Sequence, residues 1–193
     1  MNQNPAGPVL SVVDLAPVRF GLLLGMIAIL FGWGLGVVFG AYEKGWRQRF
    51  VADAERNRAL YVAKTGSEEG ASEAIKKIDQ GAWTYSLRAH MHAGGIGSIA
   101  VGASVLLSLL RVGAMPKLVA SSLLGVGAVG YPLFWLLAGM RGPSLGSTGA
   151  AKESLQWLAI PSAGALFVGG LITFGLVAFD LFLRAGTREA PKL

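Results

Sequence analysis

Four stretches of the chain, residues 20–42, 89–110, 118–140 and 157–179, contain no Asp, Glu, Lys or Arg and are apolar almost throughout. A helix rises about 1.5 Å per residue and the hydrocarbon core of a bilayer is about 30 Å thick, so each stretch is long enough to cross it. In lipid such a helix satisfies every backbone polar group within itself, which is the condition for a spanning segment. The sequence therefore predicts an all-α integral membrane protein. It is read as a single membrane domain over 1–193 with four transmembrane helices and one ~46-residue, partly helical extramembrane loop at 43–88. Charged residues make up 15% of the chain, against about 25% in soluble domains. Cysteine is absent, which excludes a disulfide scaffold, thiolate-held zinc or iron–sulfur clusters, and CxxCH haem attachment. The first apolar run exceeds the 7–15 residues of a secretory signal core and no A-x-A pattern follows it, so it is expected to be a retained anchor.

The connections differ in character. Residues 111–117 predict a tight turn, with Pro116 opposing helix continuation, and residues 141–156 a Gly/Ser/Pro-rich loop. Within 43–88, Phe50, Val51, Ala54, Arg58, Tyr61 and Val62 fall near helical spacing and predict a short amphipathic helix. Thr65-Gly66-Ser67 should break it, Ser72 should open a second helical piece and Gly81 should stop that piece. Trp83 and Tyr85 suit the headgroup level, and Pro132 predicts a kink in the third span.

Glycines recur every four residues in span one, at Gly32, Gly36 and Gly40, and span two repeats the device with Gly94, Ser98 and Gly102. Small residues at that spacing share one helix face, where a neighbouring backbone can approach closely, so both stripes are expected to be packing surfaces. Gly125, Gly127 and Gly130 match the dinucleotide pattern G-x-G-x-x-G. They lie inside an apolar span with no acid until Glu153, and the strand-to-helix setting that gives the pattern its chemistry is missing.

The residues with the most chemistry lie at the start of span two, in Arg88-Ala-His90-Met91-His92. At 100° per residue the two histidines point about 200° apart, so one regular helix cannot offer both to a single iron. His90 shares the face of Gly94 and Ser98 and is expected to point into the bundle. His92 is backed by Ile96 and Ile99 and is expected to face lipid headgroups or a neighbouring subunit. The His-x-His pair resembles the helix of haem–copper oxidases whose two histidines serve two different haems, a resemblance covering three residues. An antiparallel arrangement of the four spans brings Tyr42, Glu43, Trp46, Arg88, His90, His92, Met140, Arg141 and Trp157 to one end. Histidine and methionine are axial haem ligands and arginine pairs with propionates. His90, His92, Met140, Arg88 and Arg141 are thus the candidate cofactor-binding set, with His90 and His92 as metal ligands. The sequence identifies no cofactor; haem b is the leading candidate, ahead of quinone or copper. Set beside this, histidines in the first turn of a span also serve ordinary interfacial and packing roles.

The net charge of +6, from 17 Lys and Arg against 11 Asp and Glu, does not form the aromatic-interleaved basic patch of a nucleic-acid binder. Attraction to anionic lipid headgroups accounts for it more simply. Asp180 and Arg184 are spaced as a local i,i+4 pair. No serine, histidine and acid form a recognisable catalytic set, and no soluble substrate is suggested, so the chain is not expected to be catalytic by itself. The expected role is an accessory or scaffold subunit of a larger membrane complex, preferentially bioenergetic or electron-transferring, with membrane lipids and other subunits as partners. The alternatives are a redox-active haem b or quinone subunit and a small transporter or channel. A bacterial inner membrane is the expected location. Arg19, Arg111, Lys117, Arg184, Arg188 and Lys192 lie on the terminal face, and the mixed charge of 43–88 places that segment in the periplasm with the termini cytoplasmic.

Overall fold

The computed structural model describes residues 12–183, and every regular element among them is helical. A 3₁₀ segment, Val12–Val18, leads into α1 (Arg19–Arg56); α2 (Arg58–Thr65), α3 (Glu68–Leu109), α4 (Ala114–Leu145), α5 (Thr148–Glu153) and α6 (Gln156–Ala178) follow, and a π-turn closes the described chain at Phe179–Leu183. Four of the helices are long and apolar enough to cross a membrane. α1, α3 and α4 pack on one another, and α6 docks mainly on α4.

The largest departure from the sequence reading concerns residues 43–88. They are not a loop carrying short helical pieces: α1 and α3 continue far beyond their apolar stretches and form most of this segment as a helical projection. α3 has 42 residues, about 63 Å at the usual rise, twice the thickness of a hydrocarbon core. The expected break at Thr65-Gly66-Ser67 is present. Gly66 ends α2 with φ of 78°, a left-handed conformation that glycine adopts without steric cost. The Ser67 hydroxyl accepts from Gly70 N at 3.0 Å and opens α3. Ser72 therefore lies inside a helix already begun, and Gly81 does not stop it. A Cβ at Gly81 would stand 3.0 Å from the Thr148 methyl carbon, so this glycine admits α5.

The projection has its own core of Ala54, Tyr61, Ala71, Ile75 and Ile78. Arg47 donates to Asp79 through Nη2 at 2.6 Å and Nε at 3.2 Å, tying α1 to α3 across a half-exposed edge. Hydrogen bonding to Asp79 is the main cause raising the Arg47 pKa above its ordinary value. Asp79→Ala should cost about 2 kcal/mol, the usual worth of hydrogen bonds to a charged group. Thermal melting in detergent measures this loss. Arg58 links three parts of the projection, donating to Glu55, Glu68 and Ser72. The α2 helix is fastened to the end of α4: the Tyr61 hydroxyl donates to Pro143 O at 2.6 Å, and Lys64 Nζ donates to Leu145 O at 3.0 Å. Cations and hydroxyls are apt partners for these last carbonyls of α4, of which Pro143 O otherwise receives only the long 3.4 Å bond from Gly146 N.

α4 runs through Pro132 without interruption in its residue range. Non-helical backbone is found in α1, at Tyr42 (φ −132°, ψ 24°), where the apolar stretch meets the first charged residues. At the opposite end, the buried Lys117 donates from Nζ to Ser108 O at 3.1 Å and caps the last turn of α3. Asp180 accepts from Arg111 N at 3.2 Å. Its expected partner Arg184, together with Arg188 and Lys192, lies outside the described residues.

Glycine sets the interhelical approach, although not through the stripes as drawn. A Cβ at Gly32 would stand 2.8 Å from Gly94 N, and one at Gly97 would stand 2.9 Å from Gly25 O, so α1 and α3 meet backbone to backbone. Gly36 makes room for the His90 ring. At Gly40, Gly94 and Gly102 a Cβ would meet nothing within 4 Å, and Ser98 is exposed. The buried face of α3 is the neighbouring one, through Ala89, Ala93, Gly97, Ala100 and Ser104. The G-x-G-x-x-G glycines are packing residues: Gly125 faces Leu24 of α1, while Gly127 and Gly130 face Leu166 and Ser162 of α6.

Candidate functional site

The two histidines stand on opposite sides of α3 because they are two residues apart on a regular helix. His90 turns toward α1. Its Nδ1 lies 2.8 Å from Gly32 O, and since a carbonyl only accepts, Nδ1 carries the proton and the Nε2 lone pair remains free in the neutral ring. Gly36 supplies the space, for a Cβ there would stand 2.8 Å from His90 Cε1. The Phe39 ring meets His90 edge-on at 6.4 Å and continues into Trp46 and Trp83 at 5.5 and 5.1 Å.

His92 turns toward α4, which corrects the expectation that it faces lipid headgroups or another subunit. Its ring lies 5.3 Å from that of Tyr131 and 6.3 Å from that of Trp135. Ile96 and Ile99 do not decide the direction of His92, because the α3–α4 seam passes between these faces: Ile96 packs in the bundle core while Ile99 is exposed. Trp135 stands edge-to-face on Tyr85 at 5.0 Å, and the Arg88 guanidinium lies over both, 4.9 Å from Trp135 and 5.4 Å from Tyr85. One such stack extends along the α3–α4 seam through His92, Tyr131, Trp135, Tyr85 and Arg88.

The candidate cofactor set is therefore divided. Arg88 and His92 belong to the α3–α4 seam and His90 to the α1–α3 seam. Met140 is 46% exposed and lines a small cavity of about 70 Å³ with Trp46, Arg49, Phe50 and Asp53. Arg141 donates through Nη1 to Ser154 Oγ at 3.3 Å. Among the described residues no three of His, Asp and Glu converge as metal-ligand groups. The His90 arrangement, with Nδ1–H held by a backbone carbonyl and Nε2 free, is the tautomer and orientation that a single metal-ligating imidazole requires.

The reading from sequence passed over Tyr131, Trp135 and Phe39 as partners of the histidines. A usable signal was present: Tyr131 and Trp135 are spaced i,i+4 and Tyr85 and Arg88 i,i+3, which stacks each pair on one helix face. Comparison of the chain with protein-family models, with curated proteins and with solved structures finds no match.

Proposed function

We propose that this chain is an integral-membrane accessory or scaffold subunit of a larger membrane complex, preferentially one of bioenergetic or electron-transfer type. The observation carrying this reading is the face of α3 formed by Gly94, Ser98 and Gly102, where small residues leave room that none of the described residues fills. Small residues let helix backbones come together in lipid, and a lipid chain gains nothing particular from them. α6 supports the same reading. It buries only Ser162, Gly169 and Thr173 of its length, and it leaves Gly164, Gly170 and Gly175 open. On this reading the complex lies in a bacterial inner membrane, with the chain termini cytoplasmic and the projection periplasmic.

A second reading, a redox-active subunit holding haem b or quinone, is favoured by one observation: the free Nε2 of His90 beside Gly36 and Phe39. Gentle detergent extraction through an affinity tag tests both. The expected result is co-purification of at least one other membrane subunit in fixed proportion. A chain recovered alone as a monodisperse monomer would overturn the first reading. A reduced-minus-oxidised spectrum of the same preparation, compared with His90→Ala, decides whether haem is present and whether this histidine holds it. In the cysteine-free chain, Lys77→Cys should react with an impermeant maleimide from the periplasmic side; labelling only after lysis reverses the orientation.

A further inference from the structure

At the end of the bundle where α3 enters its apolar stretch, two cations stand over one ring. Arg88 Cζ lies 5.4 Å and Lys152 Nζ 6.0 Å from the centroid of Tyr85. Tyr85 is buried, whereas both cations are exposed. Among the described residues neither Arg88 nor Lys152 makes an ion pair, and Glu153, next to Lys152 in the chain, pairs with neither. Each cation thus stands within 6.0 Å of the Tyr85 centroid with no acid of the described chain paired to it, a position that suits an anion from outside. The stack on Trp135 and Tyr85 occupies the face of the Arg88 guanidinium and leaves its in-plane N–H donors without a protein acceptor. Topology sets the level: Arg88 immediately precedes one charge-free stretch, Arg141 immediately follows another, and Trp157, 70% exposed, begins the fourth. Tryptophan and stacked arginine are side chains of the bilayer–water boundary.

We propose that Arg88 and Lys152, supported by Tyr85 and Trp135, bind the phosphate of an anionic phospholipid headgroup at the α3–α4–α5 corner. The phosphate accepts from the Arg88 edge and from the Lys152 ammonium, and the acyl chains lie along the apolar surface beside Trp157. This rests on the reading that the four apolar helices sit in a bilayer. It goes beyond a general attraction between basic residues and acidic lipid, because it names one corner and two donors.

The test is native mass spectrometry of the full chain titrated with phosphatidylglycerol or phosphatidylcholine. Each cation near a membrane surface contributes about fivefold to acidic-lipid affinity. Arg88→Gln combined with Lys152→Gln should therefore weaken phosphatidylglycerol binding by roughly 30-fold and phosphatidylcholine binding by less, because the choline cation already offsets the charge of its phosphate. Lys152→Gln alone, an exposed change with no demand on folding, should lose about fivefold. Lys76→Gln with Lys77→Gln, exposed on the projection, should behave as wild type. Equal phosphatidylglycerol affinity in the Arg88/Lys152 variant, or an equal loss in the Lys76/Lys77 variant, would overturn the site. Displacement of the lipid by millimolar inorganic phosphate would overturn it too, by identifying a soluble anion as the occupant. Carbonate washing of membranes from the expressing cells separates the premises. A chain that resists washing but shows no lipid preference rejects this corner alone, and a chain that washes out rejects membrane insertion as well.

Discussion

Gly97→Leu should strongly destabilise the bundle, whereas Gly102→Leu, five residues further along the same helix, should leave it folded and deprive it of the proposed partner. At Gly97 a Cβ already stands 2.9 Å from Gly25 O and 3.0 Å from Ile29 N, both backbone atoms that cannot rotate away. The rest of a leucine side chain then has to drive α1 and α3 apart, at about 3 kcal/mol, the upper end of ordinary overpacking. At Gly102 a Cβ meets nothing within 4 Å of the chain itself. The expected measurement is a melting temperature in detergent that falls only for Gly97→Leu, paired with loss of co-purifying subunits for both. Retention of those subunits in Gly102→Leu would show that the open face of α3 meets only lipid.

The second large effect is expected at high pH. Tyr61 is 1% exposed and its hydroxyl donates to Pro143 O, and burial pushes its pKa from 10.0 up to about 12. Because the folded value lies above the unfolded one, the stabilising contribution is complete below pH 10 and is lost as pH rises from 10 to 12. Two pKa units correspond to about 2–3 kcal/mol. Tyr61→Phe should lower stability at neutral pH by about 1 kcal/mol, the usual worth of one hydrogen bond, since Pro143 O keeps only the long 3.4 Å bond from Gly146 N, and should flatten the decline between pH 10 and 12. A variant whose alkaline decline matches that of wild type would mean that another group titrates in this window.

The number and position of the apolar helices were legible because absence of charge over twenty residues is a one-dimensional signal; their lengths were not, since α1 and α3 run on to 38 and 42 residues. The faces of those helices were not. In a water-soluble helix a polar stripe marks the exposed side, but residues 20–42 or 157–179 are apolar all round, and that contrast is gone. The spacing of four in span two therefore singled out Gly94, Ser98 and Gly102, while the face that packs within the chain runs through Ala93, Gly97 and Ala100. His92 was misdirected for the same reason: its isoleucine neighbours are compatible with lipid and with an aromatic seam alike. In the projection the difficulty was the opposite. Gly81 carries a genuine helix-stop tendency, yet α5 closes on it and the flanking turns are held by Arg47–Asp79 and by the Tyr61 core, long-range contacts that local sequence does not announce.

α1 and α3 rise side by side from the apolar bundle into the projection, but they are built differently. α3 is one unbroken helix from Glu68 to Leu109, whereas α1 has non-helical backbone at Tyr42. Mechanically, the pair is a strut beside a jointed rod. A force applied at the tip, near Gly66, passes down α3 as axial load and torque and reaches the Arg88–His92 turns without a joint to absorb it. The same force on α1 meets a joint at Tyr42, before the glycines that pack against α3. By geometry alone, the tip is joined to the α3–α4 seam by continuous helix and to the α1 glycines only across the bend at Tyr42.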